Sequence, residues 1–545
     1  MTSHNKSSDP LWGGYGRPGN PDSVHDCYFQ CASNDPLVPQ LWAYTSALSY
    51  GSGDTVELHI NTTAENFDIL VCRDGAQKQA VFSQQGVKGS FHPTPSDCSI
   101  NGCNWPVGLE IPLDPDWPSG GYNIKLSATA PDGTVLSYEH LFLLRPGQGA
   151  KKGRLLLVAA TGTWTAYNDW GGSNHYEGIS GTDGEQFSPK LSHLRPFARG
   201  FVLLPADAPR IPLRERPEIG AEIHYPHMDW AYGNGFSKKY ASAGWASYER
   251  PYVHWLEKAG YSVDVIAQHD LQFRPEILSD YDCLTIVGHD EYWSWEMRDA
   301  IDEYVNQGGN IARFAGNFLW QTRIENEGQT QICYKYAART DDPVRETAQS
   351  SRITNAWDAP EIGRPGAQTF GLSGSLGVYA GWGGCTPRGS GGFTIYRPDH
   401  WVFENCDVYF GDVLGAPSRI FGYEVDGVDY NIKNGLPYPT GSDGAPDDLL
   451  ILGMGLATTY EADHGNQNKL FIGSDDTEFI AETLYGKTTP ENIERCKRGT
   501  GMIAVFERGK GSVFTAGSCE WVAGLIDHDP QVERLTRNVL NRFLL

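Results

Sequence analysis

The run Arg154-Leu155-Leu156-Leu157-Val158-Ala159-Ala160 is apolar at consecutive positions rather than at alternate ones. A strand of that kind must be covered on both faces, which an open antiparallel sheet does not offer and a parallel sheet flanked by helices does. The chain beyond it repeats the logic. Pro251–Gly260 has helical periodicity closed by glycine, and Ser262–Ala267 is a short β-branched strand. Cys283–Gly288 is a second such strand, Ser294–Asn306 a helix, and Asn310–Ala315 a third strand. Alternation of this type predicts βαβ units and an open, mostly parallel sheet, hence an α/β domain. The pattern resumes at Leu449–Met454, continues through a hairpin at 502–517, and closes with an amphipathic helix from Pro530 to Phe543.

Ahead of this domain the periodicity is two. Thr55–Ile60, Phe67–Val71, Gly121–Leu126 and Leu141–Leu144 are short strands separated by turn signals such as Gly51-Ser52-Gly53-Asp54 and Pro131-Asp132-Gly133. That spacing predicts a β-sandwich of immunoglobulin-like size over 36–147. The sequence thus divides into an extended N-terminal arm (1–35), a β-sandwich (36–147), a linker and an α/β domain over 151–545. A Gly- and aromatic-rich stretch of about 340–447 interrupts the alternation and is expected to be an insertion covering the end of the sheet.

Composition narrows the partners. With 43 Lys+Arg against 67 Asp+Glu the formal charge is −24, which argues against nucleic acid or an anionic membrane, because phosphate binding requires clustered cations. There is no apolar run of the roughly 18 residues that would span a bilayer, and Met1–Pro10 lacks the apolar stretch of a secretory signal, so a cytoplasmic protein is expected. Eleven cysteines, an odd number spread along the chain, suit reduced thiols. The close pairs Cys27/Cys31 and Cys98/Cys103 lack the spacing of a zinc site.

In an open α/β sheet, ligands bind beyond the carboxyl ends of the strands. Three strand ends carry polar residues unusual for plain turns: Thr163–Asn168, Gly288-His289-Asp290-Glu291-Tyr292-Trp293 and Gly316-Asn317-Phe318. His289 and Glu291 stand two apart, so extended backbone would turn both side chains to one side. Asp290 and Glu291 also suit the N-terminus of the following helix. No Gly-x-Ser-x-Gly or Gly-x-Cys-x-Gly elbow occurs at these ends, so a water activated by a metal is the leading substitute for a side-chain nucleophile. Cys283, inside a strand, and Cys519 are expected to be buried apolar thiols, although a Cys/His hydrolase stays open.

These segments together with Gly172-Ser173-Asn174-His175-Tyr176, Ser192–Pro196 and Gly422-Tyr423-Glu424-Val425-Asp426 carry a resemblance. In their order along the chain they resemble the large (beta) subunit of N,N-dimethylformamidase. The resemblance implies an α/β domain like the class I glutamine amidotransferase fold. It also implies hydrolysis of a simple amide at a mononuclear Fe(III) held by two tyrosines and a glutamate. Carried over by position, Tyr167 and Tyr176 would be the phenolate ligands and Glu291 the carboxylate. His289 and Asn317 would lie beside the metal, Glu424 would be a carboxylate near it, and Lys335 could pair with Glu424; chemically, Glu424 is the candidate acid/base and His289 a candidate hydrogen-bond donor to the tetrahedral intermediate. Tyr167 and Tyr176 are closer in sequence than the family's two tyrosines, and residues 198–245 look like an addition, so Tyr225 or His227 remains an alternative ligand.

Hard oxygen donors suit a hard cation, and a phenol of ordinary pKa about 10 gives up its proton only beside a strong Lewis acid, which favours ferric iron. The expected function is therefore an iron-dependent amidohydrolase acting on a small or N-substituted amide. A non-catalytic carbohydrate- or peptide-binding protein is the alternative of another class, given 16 Trp and the Gly-rich loops. A homo-oligomer is expected, with the family's separate small subunit left open. Of the carboxylates, only Glu291 and Glu424 are expected to serve function, the rest lying on the solvated surface.

Overall fold

Leu155, Leu156, Leu157 and Val158 are all buried, as cover on both faces demands. The computed structural model describes residues 30–149, 153–176, 188–212, 226–377, 379–380, 391–457 and 475–545. In it, Arg154–Ala159 lies second in a nine-stranded sheet. Ser262–Ala267 forms one edge, and beyond Arg154–Ala159 come Cys283–His289, Asn310–Gly316 and Gly511–Ala516, all parallel. The sheet then turns antiparallel through Thr500–Arg508, Leu450–Leu456, Phe393–Ile395 and Val413–Leu414. From Arg154–Ala159 the chain steps outward to Ser262–Ala267 and then returns to the other side as Cys283–His289. The order of strands reverses there, and such a reversal opens a crevice at the strands' carboxyl ends.

Local signals explain the helices between these strands. Ser294 accepts a hydrogen bond from the Met297 amide at 3.2 Å and starts Trp295–Gln307, which Gly308 ends in a left-handed conformation (φ 120°). Pro530–Phe543 starts at Asp529, whose carboxylate accepts from the Gln531 and Val532 amides, and it buries Val532, Leu535, Thr536, Val539, Leu540 and Phe543. That three–four spacing places one apolar stripe against the sheet.

The segment 340–447 contributes short strands of its own. Its Phe393–Ile395 and Val413–Leu414 extend the antiparallel half, and its Tyr423–Glu424 pairs with Tyr379–Ala380. Strands of two or three residues carry too little alternation to be recognised by periodicity.

Residues 30–149 form a three-stranded sheet (Leu41–Thr45, Thr55–Thr62, Val107–Pro112) facing a five-stranded one (Ser49–Tyr50, Val135–Leu144, Gly120–Thr129, Asn66–Asp74, Lys78–Lys88). Val56, Leu58, Ile60, Ile69, Val71, Ile124 and Phe142 fill the space between them. These sheets are docked on the α/β part through polar anchors. Asp74 accepts from the Trp245 indole at 2.9 Å and pairs with Arg250 at 2.9 Å, while Arg73 pairs with Glu257 at 2.7 Å. Gly121 has to be glycine, since a Cβ there would stand 2.5 Å from the Trp245 ring.

The residues of the N-terminal arm up to 29, and Tyr225, lie outside the described residues. No helix among the described residues is long and apolar enough to cross a membrane. The expectation that nearly all carboxylates are solvated needs correcting: Asp74, Glu249, Asp264, Asp270, Asp290, Asp342, Asp426 and Glu520 are buried. Each of these has a cation or N–H donor close by, except that one oxygen of Glu249 has none.

Candidate active site

Three strand ends and one short strand meet where the order of strands reverses. Arg154–Ala159 runs into the helix Thr161–Tyr167, whose last residue, Tyr167, is 2% exposed. Cys283–His289 ends on His289, just ahead of Glu291. Gly288, immediately before it, has φ 82° and packs so closely on Tyr248 that a Cβ would come within 2.3 Å of its ring. Asn310–Gly316 is followed directly by Asn317, itself left-handed at φ 63°, and Tyr423–Glu424 delivers Glu424.

The Tyr176 hydroxyl is the centre of an oxygen cluster. It receives hydrogen bonds from the Tyr167 hydroxyl at 2.8 Å and the Tyr292 hydroxyl at 2.9 Å, and it stands 2.8 Å from both Glu291 carboxylate oxygens. Glu291 is fixed from behind: the Trp320 indole donates to its Oε1 at 2.6 Å, and its own amide donates to Thr163 Oγ1 at 3.0 Å.

A second group adjoins the first. His289 Nδ1 is 2.7 Å from the Ser242 carbonyl, which holds the ring with a proton on Nδ1. Its Nε2 faces Glu424 Oε2 at 2.7 Å and Glu291 Oε2 at 3.3 Å. Asn317 Nδ2 donates to the same Glu424 oxygen at 2.9 Å. The donor atoms of His289, Glu424 and Cys519 all lie within 4.8 Å of one another.

The electrostatics follow from burial and these pairings. Burial opposes a charged His289, yet Glu424 and Glu291 outweigh it and hold the imidazole well above its ordinary value. Burial raises Glu291, but His289, Lys335 and Tyr176 bring it below the usual carboxylate value, whereas burial keeps Glu424 raised against His289. Burial, reinforced by Glu291, pushes Tyr167 and Tyr292 well above the usual phenol value. A phenolate in this enclosed, carboxylate-rich place therefore needs a nearby cation.

Tyr167, Tyr176, Glu291, His289, Asn317 and Glu424 are thus within one constellation. Lys335 is in the same place but with a different partner from the one expected. Its amine donates to the Tyr292 hydroxyl at 3.0 Å and lies 3.2 Å from the centre of the Tyr176 ring. Glu424 reaches it only as a more distant charge, and burial lowers Lys335 to about 8. Lys335 is left-handed (φ 49°) at the start of a short turn, a backbone conformation that sequence spacing does not reveal. His227 is buried on the helix Pro226–Asn234.

Asp290 does not cap the following helix, a role taken by Ser294, and it pairs with Arg313 instead. Tyr292 and Trp320 were not foreseen as site residues. Tyr292 follows Glu291 directly, and strict alternation would send it to the opposite side. The strand is interrupted at Asp290 and Glu291, so alternation fails at that point.

A profile of the family described as "N,N-dimethylformamidase beta subunit-like, C-terminal" matches residues 71–533. The N,N-dimethylformamidase beta subunit of Paracoccus aminophilus is 23% identical over 497 residues, covering 83% of this chain and 56% of that protein. The corresponding subunit of an Alcaligenes sp is 25% identical over 321 residues, covering 54% of this chain and 36% of the relative. The matches therefore span little more than half the length of one of these relatives and about a third of the other. With a profile that runs from the sandwich strand Asn66–Asp74 into the closing helix Pro530–Phe543, the chain belongs to the N,N-dimethylformamidase beta subunit-like family.

Proposed function

We propose that the chain is an iron-dependent amidohydrolase that cleaves the C–N bond of a small or N-substituted amide. The observation that carries this reading is the convergence of Tyr167, Tyr176 and Glu291 on 2.8 Å contacts at the reversal of strand order. The donor set fits a hard, highly charged ion. Phenol and carboxylate oxygens are hard donors, the type such an ion prefers. The buried phenols also require a strong Lewis acid if they are to ionise. Tyr167, Tyr176 and Glu291 would hold the Fe(III), which when bound supplies Lewis acidity toward an amide carbonyl and a water.

The protein groups then divide the remaining work. The Ser242 carbonyl fixes the His289 ring so that Nε2 faces the carboxylates, where an N–H can steady negative charge building on the carbonyl oxygen. Glu424, kept raised by burial and gripped by His289 and Asn317, takes a proton from the attacking water and passes it to the leaving amine. Tyr292 donates to the Tyr176 hydroxyl and Lys335 lies over its ring, so both help to fix that side chain. The burial of these groups keeps bulk water from competing with the substrate.

A Cys/His hydrolase has one observation in its favour, the nearness of Cys519 to His289. Burial and the Glu424 charge, however, push the Cys519 thiol well above its ordinary value, and a thiol kept protonated is a poor nucleophile. The fold reading that goes with this function is a class I glutamine amidotransferase-like sheet behind an immunoglobulin-like sandwich. A cytoplasmic homo-oligomer is the assembly we favour, and the relatives' names as subunits support a partner chain as well.

The test is iron content, the visible tyrosinate charge-transfer band, and amine released from short formamides, lactams and aryl amides. Wild type should carry about one iron per chain with the band, and Tyr167→Phe and Glu291→Ala should lose band and turnover together. A colourless, iron-free protein whose variants match wild type would sink the reading.

A further inference from the structure

Arg313 is fully buried in the strand Asn310–Gly316, four residues before Asn317. Its Nε and Nη2 donate to the two Asp290 carboxylate oxygens at 2.8 and 2.5 Å, and its Nη1 lies 2.8 Å from Asp426 Oδ2. Asp426 Oδ1 in turn accepts the Phe318 amide at 3.1 Å, immediately after the left-handed Asn317. The guanidinium is enclosed by the Phe370 and Phe318 rings, 5.0 and 5.8 Å from its centre.

Each partner sits beside a different site residue. Asp290 separates His289 from Glu291, Asp426 follows Glu424 by two, and Arg313 lies in the strand whose end is followed by Asn317. A buried triad of two carboxylates and one guanidinium is a poor source of stability, since apolar residues of similar volume often do as well or better. Its value is alignment, because a planar fork accepts carboxylates only along fixed directions.

We infer that Arg313 is a positioning residue that sets the register of three strand ends at once, so that His289 and Glu291, Asn317, and Glu424 meet in one geometry. This inference rests on the proposed reading only for its effect on turnover. The alignment itself is a property of the fold.

The experiment uses the full chain with Asp426→Asn, which keeps the acceptor for the Phe318 amide and removes the charge facing Arg313. Hydrogen–deuterium exchange is followed in peptides covering 287–293, 316–319 and 423–427, with the sandwich strand 120–129 as control. Exchange should quicken about tenfold at 287–293, on the far side of the guanidinium, while the control keeps its wild-type rate. In the same variant kcat should fall about 10²-fold with little change in KM and with the tyrosinate band retained, the pattern of misplaced rather than missing groups. Unchanged protection at 287–293, or loosening shared equally by the control, overturns the inference. If Asp426→Asn does not fold, Asp290→Asn decides in the opposite direction, with 423–427 as the readout. An iron-free wild type would defeat the iron reading and leave the exchange comparison intact.

Discussion

His289 and Glu424 face each other across 2.7 Å in a place where both are buried, and the same imidazole nitrogen stands 3.3 Å from Glu291. A single ring therefore divides a carboxylate assigned to the metal from one assigned to the proton. Glu424→Gln keeps the shape and removes the basicity. We expect kcat to fall by at least about 10²-fold, the usual worth of general acid–base help, while iron content and the visible band stay at wild-type levels. Steady-state kinetics alongside elemental analysis checks this, and equal turnover in the two proteins would remove Glu424 from the mechanism.

Tyr292→Phe deletes a donor to Tyr176 and leaves the Lys335 amine without its acceptor in a buried place. The expected cost is about 1–3 kcal/mol of stability, the penalty of an unsatisfied buried polar group. A urea midpoint lowered at constant slope would show it, and an unchanged midpoint would mean that the amine finds another partner.

Glu249 supplies a pH dependence away from the proposed ligands. Burial, only partly offset by the Ala160 amide and the Trp164 indole, raises its carboxyl from the ordinary 4.5 to about 8. Between those values the folded chain keeps a proton that the unfolded chain gives up. The contribution to stability is thus complete below 4.5 and is lost as the pH rises through about 8, at about 1.4 kcal/mol per pH unit inside that window. Glu249→Gln mimics the protonated acid, so Tm measured from pH 5 to pH 9 should fall less steeply in the variant. Parallel Tm curves would contradict the assignment.

Cys519 separates the two hydrolase mechanisms. On the proposed reading, Cys519→Ser should retain turnover, and iodoacetamide should leave the turnover of the unmodified chain unchanged, because the buried thiol stays protonated. Loss of activity in the serine variant with iron still bound would favour a cysteine nucleophile.

Much of this was legible in the sequence because burial leaves a strong imprint. A strand covered on both faces shows as the unbroken Leu155–Val158, and the closing helix shows its stripe from Val532 to Phe543. His289, Glu291 and Asn317 were legible as polar residues where strands end. What stayed hidden depends on distances between segments far apart in the chain. Asp290, Arg313 and Asp426 are ordinary charges in sequence, and only the packed sheet shows that they form one buried unit. Tyr292 was obscured by a two-residue interruption of its strand, and the partner of Lys335 by a backbone turn. The short edge strands Phe393–Ile395 and Val413–Leu414 left no periodicity to detect.

Asp74 belongs to the sandwich, yet its neighbours Trp245, Arg250 and His254 all belong to the segment that begins three residues after Ser242, whose carbonyl holds the His289 ring. A piece comprising only 151–545 would strip the acceptor from these three groups and uncover the Trp245 ring that Gly121 packs against. Domain shuffling would for that reason be an unpromising route for this chemistry: a gene fusion that borrowed the α/β part alone would inherit a histidine whose tether had lost its footing.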